Sequence, residues 1–285
     1  MATAIDLSDN QEAKKFAEGE LNETDETRVN SLEELKRWLQ EEPQLHARLE
    51  DQYLLAFLRG SKFNMEKTKK KVKNYYKMRR DVPEWFSNRD PELNQMQELI
   101  KLGCFVPLKK KQDNRLVVII RTAAHNPSIH TQDDVFKAGT MMMDVAAMEN
   151  VISSHLYGVT AILDMTGQSF AHVRQLTPST IIGKAVNCWQ NYHIRPKHLE
   201  FINAPTAVHV VISIFKSFMN SKLRERVRTH LPGQLKDLYT VVDPKILPPE
   251  YGGEGETMQE LIDYWNDKYI SYKSWFLDDE QYKAD

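Results

Sequence analysis

Cysteine is nearly missing from this chain: Cys104 and Cys188 are the only two among 285 residues. One bridge at most could form, so a disulfide-stapled scaffold is excluded, and reduced thiols in a cytoplasmic protein are expected. No apolar run approaches the roughly 20 residues that span a bilayer, which argues against a membrane-crossing helix. The opening MATAIDLSDNQEAKKF has no apolar stretch of the signal-peptide kind. Net charge is missing too. Lys and Arg total 38 against 40 Asp and Glu, a formal charge of -2. Attraction to nucleic acid or membrane must then come from local patches. The nine histidines include no HExxH pair. Gly252-Gly253-Glu254-Gly255 lacks the Lys-Ser/Thr of a phosphate loop. No metal and no cofactor is expected. No repeat or low-complexity tract is present.

What is there begins with a hydrophobic fraction of 41%, enough for a sizeable core. Residues 1–30 read as an acidic, polar, loosely ordered segment with a helix near Gln11–Gly19. Residues 31–95 read as a small helical domain. Ser31 followed by Glu34 is a capping-box pattern ahead of Leu32, Leu35, Trp38 and Leu39. Asp51 can cap a second helix and Asn64 a third, which Pro83 stops. Residues 96–255 change texture. Apolar runs at Leu116–Ile120, Tyr157–Met165, Leu199–Ile202 and Tyr239–Val242 read as strands between helical stretches, one opened by Thr177-Pro178. Strands alternating with long helices imply an α/β fold with a mostly parallel sheet. Residues 256–285 hold a final helix, Thr257 to Lys273, and a tail.

Pro205 to Met219 carries Val208, Val210, Val211, Ile212, Ile214, Phe215, Phe218 and Met219, which cover most of a helix circumference. Two readings compete. One is a fully buried core helix. The other is a gate, with one face closing a cavity and another meeting a membrane. The basic residues that follow favour the gate, because a core helix has no need of them. Met141, Met142, Met143, Met148 and Met165 could line a pocket for a bendable guest, or simply pack. Lys222, Arg224, Arg226 and Arg228 alternate after the helix. If helical, they form two pairs four residues apart. Lys69-Lys70-Lys71 and Lys109 to Lys111 read as solvated faces, although both could favour anionic membranes.

The segments LLAFLRGSKFNMEKTKKKVKNYYKMR, DMTGQSFAHVRQLTPS, FINAP, SKLRERV and LPPEYGG, in this order, resemble the CRAL-TRIO lipid-binding family over roughly Asp51 to Lys273. The resemblance implies a small all-helical N-terminal domain, then helices flanking a sheet and enclosing an apolar lipid cavity closed by a gate helix. It puts ligand-lining positions at Phe136, Val159, Leu163, Leu176, Cys188, Tyr192, Ile194, Leu199 and Val211, and phosphoinositide-holding positions at Arg195, Lys197, Lys222 and Arg226. A further basic position of that site falls on Ser61, with Lys62 beside it. Tyr192-His193 and His230-Leu231 also depart from the family pattern. The resemblance thus implies a monomeric, non-enzymatic transfer protein. Its guest would be one hydrophobic lipid, tocopherol-like or retinoid-like, and its partners phosphatidylinositol phosphates at membrane surfaces. A scaffold with a filled core is the competing expectation.

An enzyme reading rests on Gly167-Gln168-Ser169-Phe170-Ala171, a degenerate nucleophile elbow. Serine hydrolases of that kind place an acid and then a histidine after the serine. Here only Glu200 and Glu225 precede His230, and no HGGG-type motif is present. Hydrolysis by Ser169 stays a minor alternative.

Overall fold

The structure is a computed structural model that describes residues 7, 9–177, 181–205 and 208–285. The Thr177-Pro178 helix start and part of the Pro205–Met219 segment fall outside the described residues. Six helices come first: α1 (Gln11–Leu21), α2 (Asp25–Glu41), α3 (Asp51–Gly60), α4 (Met65–Asp81), α5 (Pro83–Phe86) and α6 (Asn94–Lys101). Leu32, Leu35 and Leu39 of α2 pack in one cluster with Leu54, Leu55, Phe57 and Leu58 of α3 and Val72, Tyr75, Tyr76 and Met78 of α4. These positions follow the period of 3.6 that the sequence shows.

Three local expectations need correction. Helix α2 begins at Asp25, not at Ser31. Thr24 is its cap, in a box with Thr27. The first turns are polar outside, so apolar periodicity starts only at Leu32. Helix α3 is preceded by Glu50, and Asp51 is its first residue. An acid there still favours the helix dipole. The described part of the acidic segment is not loose: Glu23 is fully buried and accepts two hydrogen bonds from Arg59, at 2.8 and 2.7 Å.

The sheet has five strands in sequence order, β1 (Phe105–Pro107), β2 (Leu116–Arg121), β3 (Val159–Asp164), β4 (Pro196–Ile202) and β5 (Val227–Thr229). β1 runs antiparallel to β2 and the other neighbours are parallel. Between and after them lie α7 (Gln132–Glu149), α8 (Phe170–Gln175), α9 (Gly183–Asn191), α10 (His209–Phe218), α11 (Ser221–Arg224), α12 (Leu235–Leu238), α13 (Met258–Ser271) and α14 (Lys273–Asp279). Ala161, Leu163, Leu199, Phe201 and Val227 pack in one cluster with residues of α9 and α10. Ile162 and Ile202 pack in a second, with Leu238, Leu261 and Trp265.

The fourth parallel strand is Val227–Thr229, not Tyr239–Val242. Val241 and Val242 are buried in the turn after α12. Burial there produces the apolar run without any pairing. The basic segment is likewise not one helix. α11 ends at Arg224 and the chain enters β5, so Arg224 and Arg228 share no helical face.

A buried ionic knot fastens the helical region to the rest. Asp279 of α14 meets Arg48 at 2.7 Å, Arg79 at 2.7 Å and Arg89 at 2.6 Å, and Arg89 also meets Asp144 of α7 at 2.5 Å. All five side chains are buried. Such a knot is stable only when every charge keeps its partner.

Candidate lipid chamber and basic pocket

Parallel strands buried on both faces supply the apolar floor of a chamber. Ile120 of β2, Leu163 of β3 and Phe201 of β4 form it. Phe136, Met142 and Met143 of α7, Cys188 and Trp189 of α9, Leu176, and Val211, Ile212 and Phe215 of α10 complete the walls. Counting its mouth, the concavity encloses about 980 Å³. The space open to the centre of a water molecule is about 110 Å³. A second apolar chamber of about 60 Å³ is lined by Val159, Ile194 and Leu199, among others. Ile120, Met142, Met143, Leu163 and Trp189 border both. An apolar cavity of about 150 Å³ accepts benzene. Neither chamber alone admits a long lipid at its present size, so the shared side chains must yield before one enters. The lipid-sized hollow expected from the sequence is here divided in two.

Of the expected lining residues, Phe136, Leu163, Leu176, Cys188 and Val211 face the first chamber. Val159, Leu163, Ile194 and Leu199 face the second. Tyr192 borders neither chamber. The backbone turns extended as α9 ends, and the fully buried ring packs edge-on to Tyr75 at 5.4 Å while its hydroxyl donates to Asp144. Among the methionines, Met142, Met143 and Met165 line the chambers. Met141 and Met148 pack in the cluster around α7 and α13 instead.

Helix α10 is not a core helix. Val208, Val211, Ile212 and Phe215 are buried and Ile214 is half-buried, but Val210 is 66% exposed and Phe218 44%. One side therefore walls the chamber while the other presents apolar surface to solvent. Arg224 donates to the carbonyls of Lys216 (3.1 Å) and Met219 (3.0 Å), capping the helix end. This is a structural use for one of the four basic residues.

Beside α10 lies a polar pocket of about 130 Å³ whose walls include Gly60, Lys62, Lys71, Trp189, Arg195, Lys222 and Arg226. The structure brings Arg195, Lys222 and Arg226 together here. Gly158, at φ +102°, lets the chain pass: a Cβ there would sit 2.5 Å from the Arg195 carbonyl oxygen and 2.8 Å from Lys197 Cγ. Lys197 lies beside the pocket rather than in its wall. The Arg195 guanidinium donates to the carbonyl of Leu156, and that of Arg226 to the carbonyl of Pro196. These carbonyls orient the forks without cancelling their charge. Among the described residues, the one carboxylate within 4 Å of any cation in this wall is Glu20, 3.7 Å from Lys62.

The electrostatic cost of that crowding is visible. Burial, then Arg195 and Lys222, pushes Lys71 down to about 8. Burial, then Arg195 and Arg226, brings Lys197 to about 8. Arg195 falls to about 10, chiefly through burial and then Arg226. Lys222 and Arg226 are lowered as well, again mainly by burial. Uncompensated cations held in a concave, half-buried site favour a polyanion.

Sequence reasoning left Lys71 among the solvated lysines. The signal was present: Thr68, Lys71, Val72 and Tyr75 fall on one helical stripe, and Thr68, Val72 and Tyr75 are buried. Lys62 stands where the wall would otherwise lose a charge at Ser61. Ser169 is the cap of α8. Its hydroxyl donates to His172 Nδ1 at 2.7 Å, and His172 Nε2 donates to the carbonyl of His125 at 3.0 Å. The third group is a backbone carbonyl, where a hydrolase triad places a carboxylate.

Comparison with known proteins finds relatives over most of the chain. Residues 24–96 match the family described as Pinta-like, UBA domain, and residues 100–253 match the CRAL/TRIO domain. A Homo sapiens protein called alpha-tocopherol transfer protein-like is 28% identical over 254 residues, which span 88% of this chain and 72% of that protein. Clavesin-2 of Rattus norvegicus is 24% identical over 276 residues, 93% of this chain and 80% of its own. Among solved structures, that of Sfh5 superposes with a TM-score of 0.59 at 14% identity, over 87% of this chain and 99% of that one. The last likeness is one of fold.

Proposed function

The chain belongs to the CRAL/TRIO family, and from that premise we propose that it is a lipid-transfer protein rather than an enzyme. It carries one apolar molecule, tocopherol-like or retinoid-like, and releases it at membranes that contain phosphoinositides. The carrying observation is the position of α10, which walls the chamber on one side, faces solvent with Val210 and Phe218 on the other, and adjoins an unneutralised basic pocket. No helix among the described residues is long and apolar enough to cross a bilayer. In this reading the protein is a monomer that meets membranes peripherally from the cytoplasm.

The energetics are favourable without a polar anchor. Each buried methylene contributes roughly 0.8 kcal/mol, so a tail of about fifteen carbons contributes on the order of 12 kcal/mol before entropy losses. At the membrane, phosphates engage Arg195, Lys222 and Arg226, with Lys62, Lys71 and Lys197 adding to the field. Arginine forks suit phosphate oxygens in pairs. The headgroup shifts α10 toward an open state only by as much as it prefers that state. Val210 and Phe218 then meet the apolar interface.

A Lys222→Glu/Arg226→Glu double variant tests the reading. It should hold cargo in solution and deliver it more slowly to vesicles with phosphatidylinositol bisphosphate. Unchanged delivery would remove the pocket from the mechanism. One observation favours a second reading, a scaffold with a filled core: the divided, small chambers. Native mass spectrometry of the purified protein separates the two. A stoichiometric lipid supports carriage, and an empty protein that takes up no added tocopherol or retinol supports the scaffold.

A further inference from the structure

Trp189 sits where three spaces meet. Its side belongs to the wall of the first chamber, of the second chamber and of the basic pocket, and it is the one residue common to all three among those described. Its ring also stacks on Phe215 of α10, with centroids 5.9 Å apart and planes inclined by 18°. Helix α9, which carries it, packs against both α10 and α4.

The volumes fix the direction in which this ring can move. Chambers of about 110 and 60 Å³ cannot take a lipid without displacing the side chains between them. Ile120 and Leu163 are strand residues and cannot retreat from the sheet. Met142 and Met143 can change rotamer, but the spaces they border are the two chambers themselves. Trp189 alone of the five has open space behind it, the basic pocket of about 130 Å³. That space is the one into which the indole could withdraw when a guest joins the chambers.

We propose that Trp189 makes cargo and phosphorylated headgroup mutually exclusive neighbours, so that filling the basic pocket expels lipid and filling the chambers expels the anion. This rests on the lipid-transfer reading above and names the part that transmits it. The indole has two seats, one on each side of the partition. Lipid holds it in the pocket-side seat. A phosphate group lodged against Arg195, Lys222 and Arg226 closes that seat and returns the ring to the chamber. Coupling of this kind is reciprocal: each ligand weakens the other by one common factor.

The test uses the full chain with two defined probes. N-phenyl-1-naphthylamine, a neutral apolar fluorophore, reports on the chambers. Inositol 1,4,5-trisphosphate, a soluble polyanion, reports on the basic pocket. In the wild type, saturating trisphosphate should weaken fluorophore binding about five- to tenfold, and saturating fluorophore should weaken trisphosphate binding by the same factor. In Trp189→Leu, and in Trp189→Phe as the milder variant, the affinity of each probe alone is measured first, and the factor by which one probe weakens the other should fall below about two whatever change the single affinities show. Equal antagonism in wild type and both variants overturns the role of Trp189, as does independent binding of the two probes to the wild type. Failure of either probe to bind the wild type alone removes a site on which the lipid-transfer reading stands, and the coupling with it. Single-ligand titrations thus distinguish failure of the reading from failure of the link.

Discussion

Raising the pH from 7 to 9 should weaken capture of phosphorylated headgroups by up to about a hundredfold. The charged form of Lys71 lines the pocket and that of Lys197 beside it adds to the field, and both groups sit at about 8. A lysine at about 8 is roughly nine-tenths charged at pH 7 and about one-tenth at pH 9. A bound phosphate stabilises the charged form and raises the lysine's pKa, so binding takes up protons. Affinity is therefore full below about pH 7 and is lost as pH rises through 8, by about tenfold per lysine. The phosphates themselves change little, since their second ionisation lies near pH 6. The groups around Lys71 are Lys62 on the α3–α4 loop, Arg195 ahead of β4, Lys222 in α11, Arg226 between α11 and β5, and His155 in the short helical segment before β3, with Glu20 of α1 paired to Lys62. Lys71→Met removes one of the two titrating groups and should reduce the loss to about tenfold. Isothermal titration with inositol trisphosphate at fixed salt across pH 7 to 9 measures it. A flat wild-type profile, or an unaltered profile in Lys71→Met, would refute the reasoning.

Three further outcomes are expected. Asp279→Asn leaves Arg79 without a carboxylate within 4 Å and weakens the hold on Arg48 and Arg89. A cost of about 3–5 kcal/mol lowers the melting temperature by about 5–8 °C at about 2 cal/mol/K of unfolding entropy per residue. Asp278→Asn, at a half-exposed acid, should change it by less than about 2 °C in the same calorimetric scan. Val210→Ser and Phe218→Ser should each reduce partition onto phosphoinositide vesicles several-fold, as measured by flotation, with cargo retention followed in parallel. Ser169→Ala should cost about 1 kcal/mol through the lost cap of α8. Wild type should not react with a fluorophosphonate probe, and labelling at Ser169 would revive hydrolysis.

The long periodic elements were legible because burial and secondary structure agree there. LVVII became β2, and Met258, Leu261, Ile262, Trp265 and Tyr269 became the buried face of α13. Short elements were not. β5 has three residues and sits in a basic run that reads equally well as helix. Val241-Val242 is as apolar as a strand but turns back on Leu238 and joins no strand of the described sheet. Composition distinguishes buried from exposed, whereas pairing depends on neighbours that are remote in sequence. The family resemblance, not composition, singled out Arg195, Lys222 and Arg226, which line one pocket, whereas the inward aim of Lys71 depended on a helix stripe masked by the lysines around it. The threefold position of Trp189 is a property of packing alone. No local pattern marks the residue whose side chain borders three separate spaces.

The ionic knot has a consequence for biosynthesis. Arg79 receives its counter-charge from a residue made 200 positions later. Until α14 leaves the ribosome, Arg79 has no carboxylate partner, and Arg48 and Arg89 keep only Glu50 and Asp144. Those helices can form earlier, but they cannot close around Arg48, Arg79 and Arg89. Completion of the amino-terminal region must therefore wait for α14. A nascent chain halted at residue 255 should still expose that region to protease, even though its sequence is already fully out.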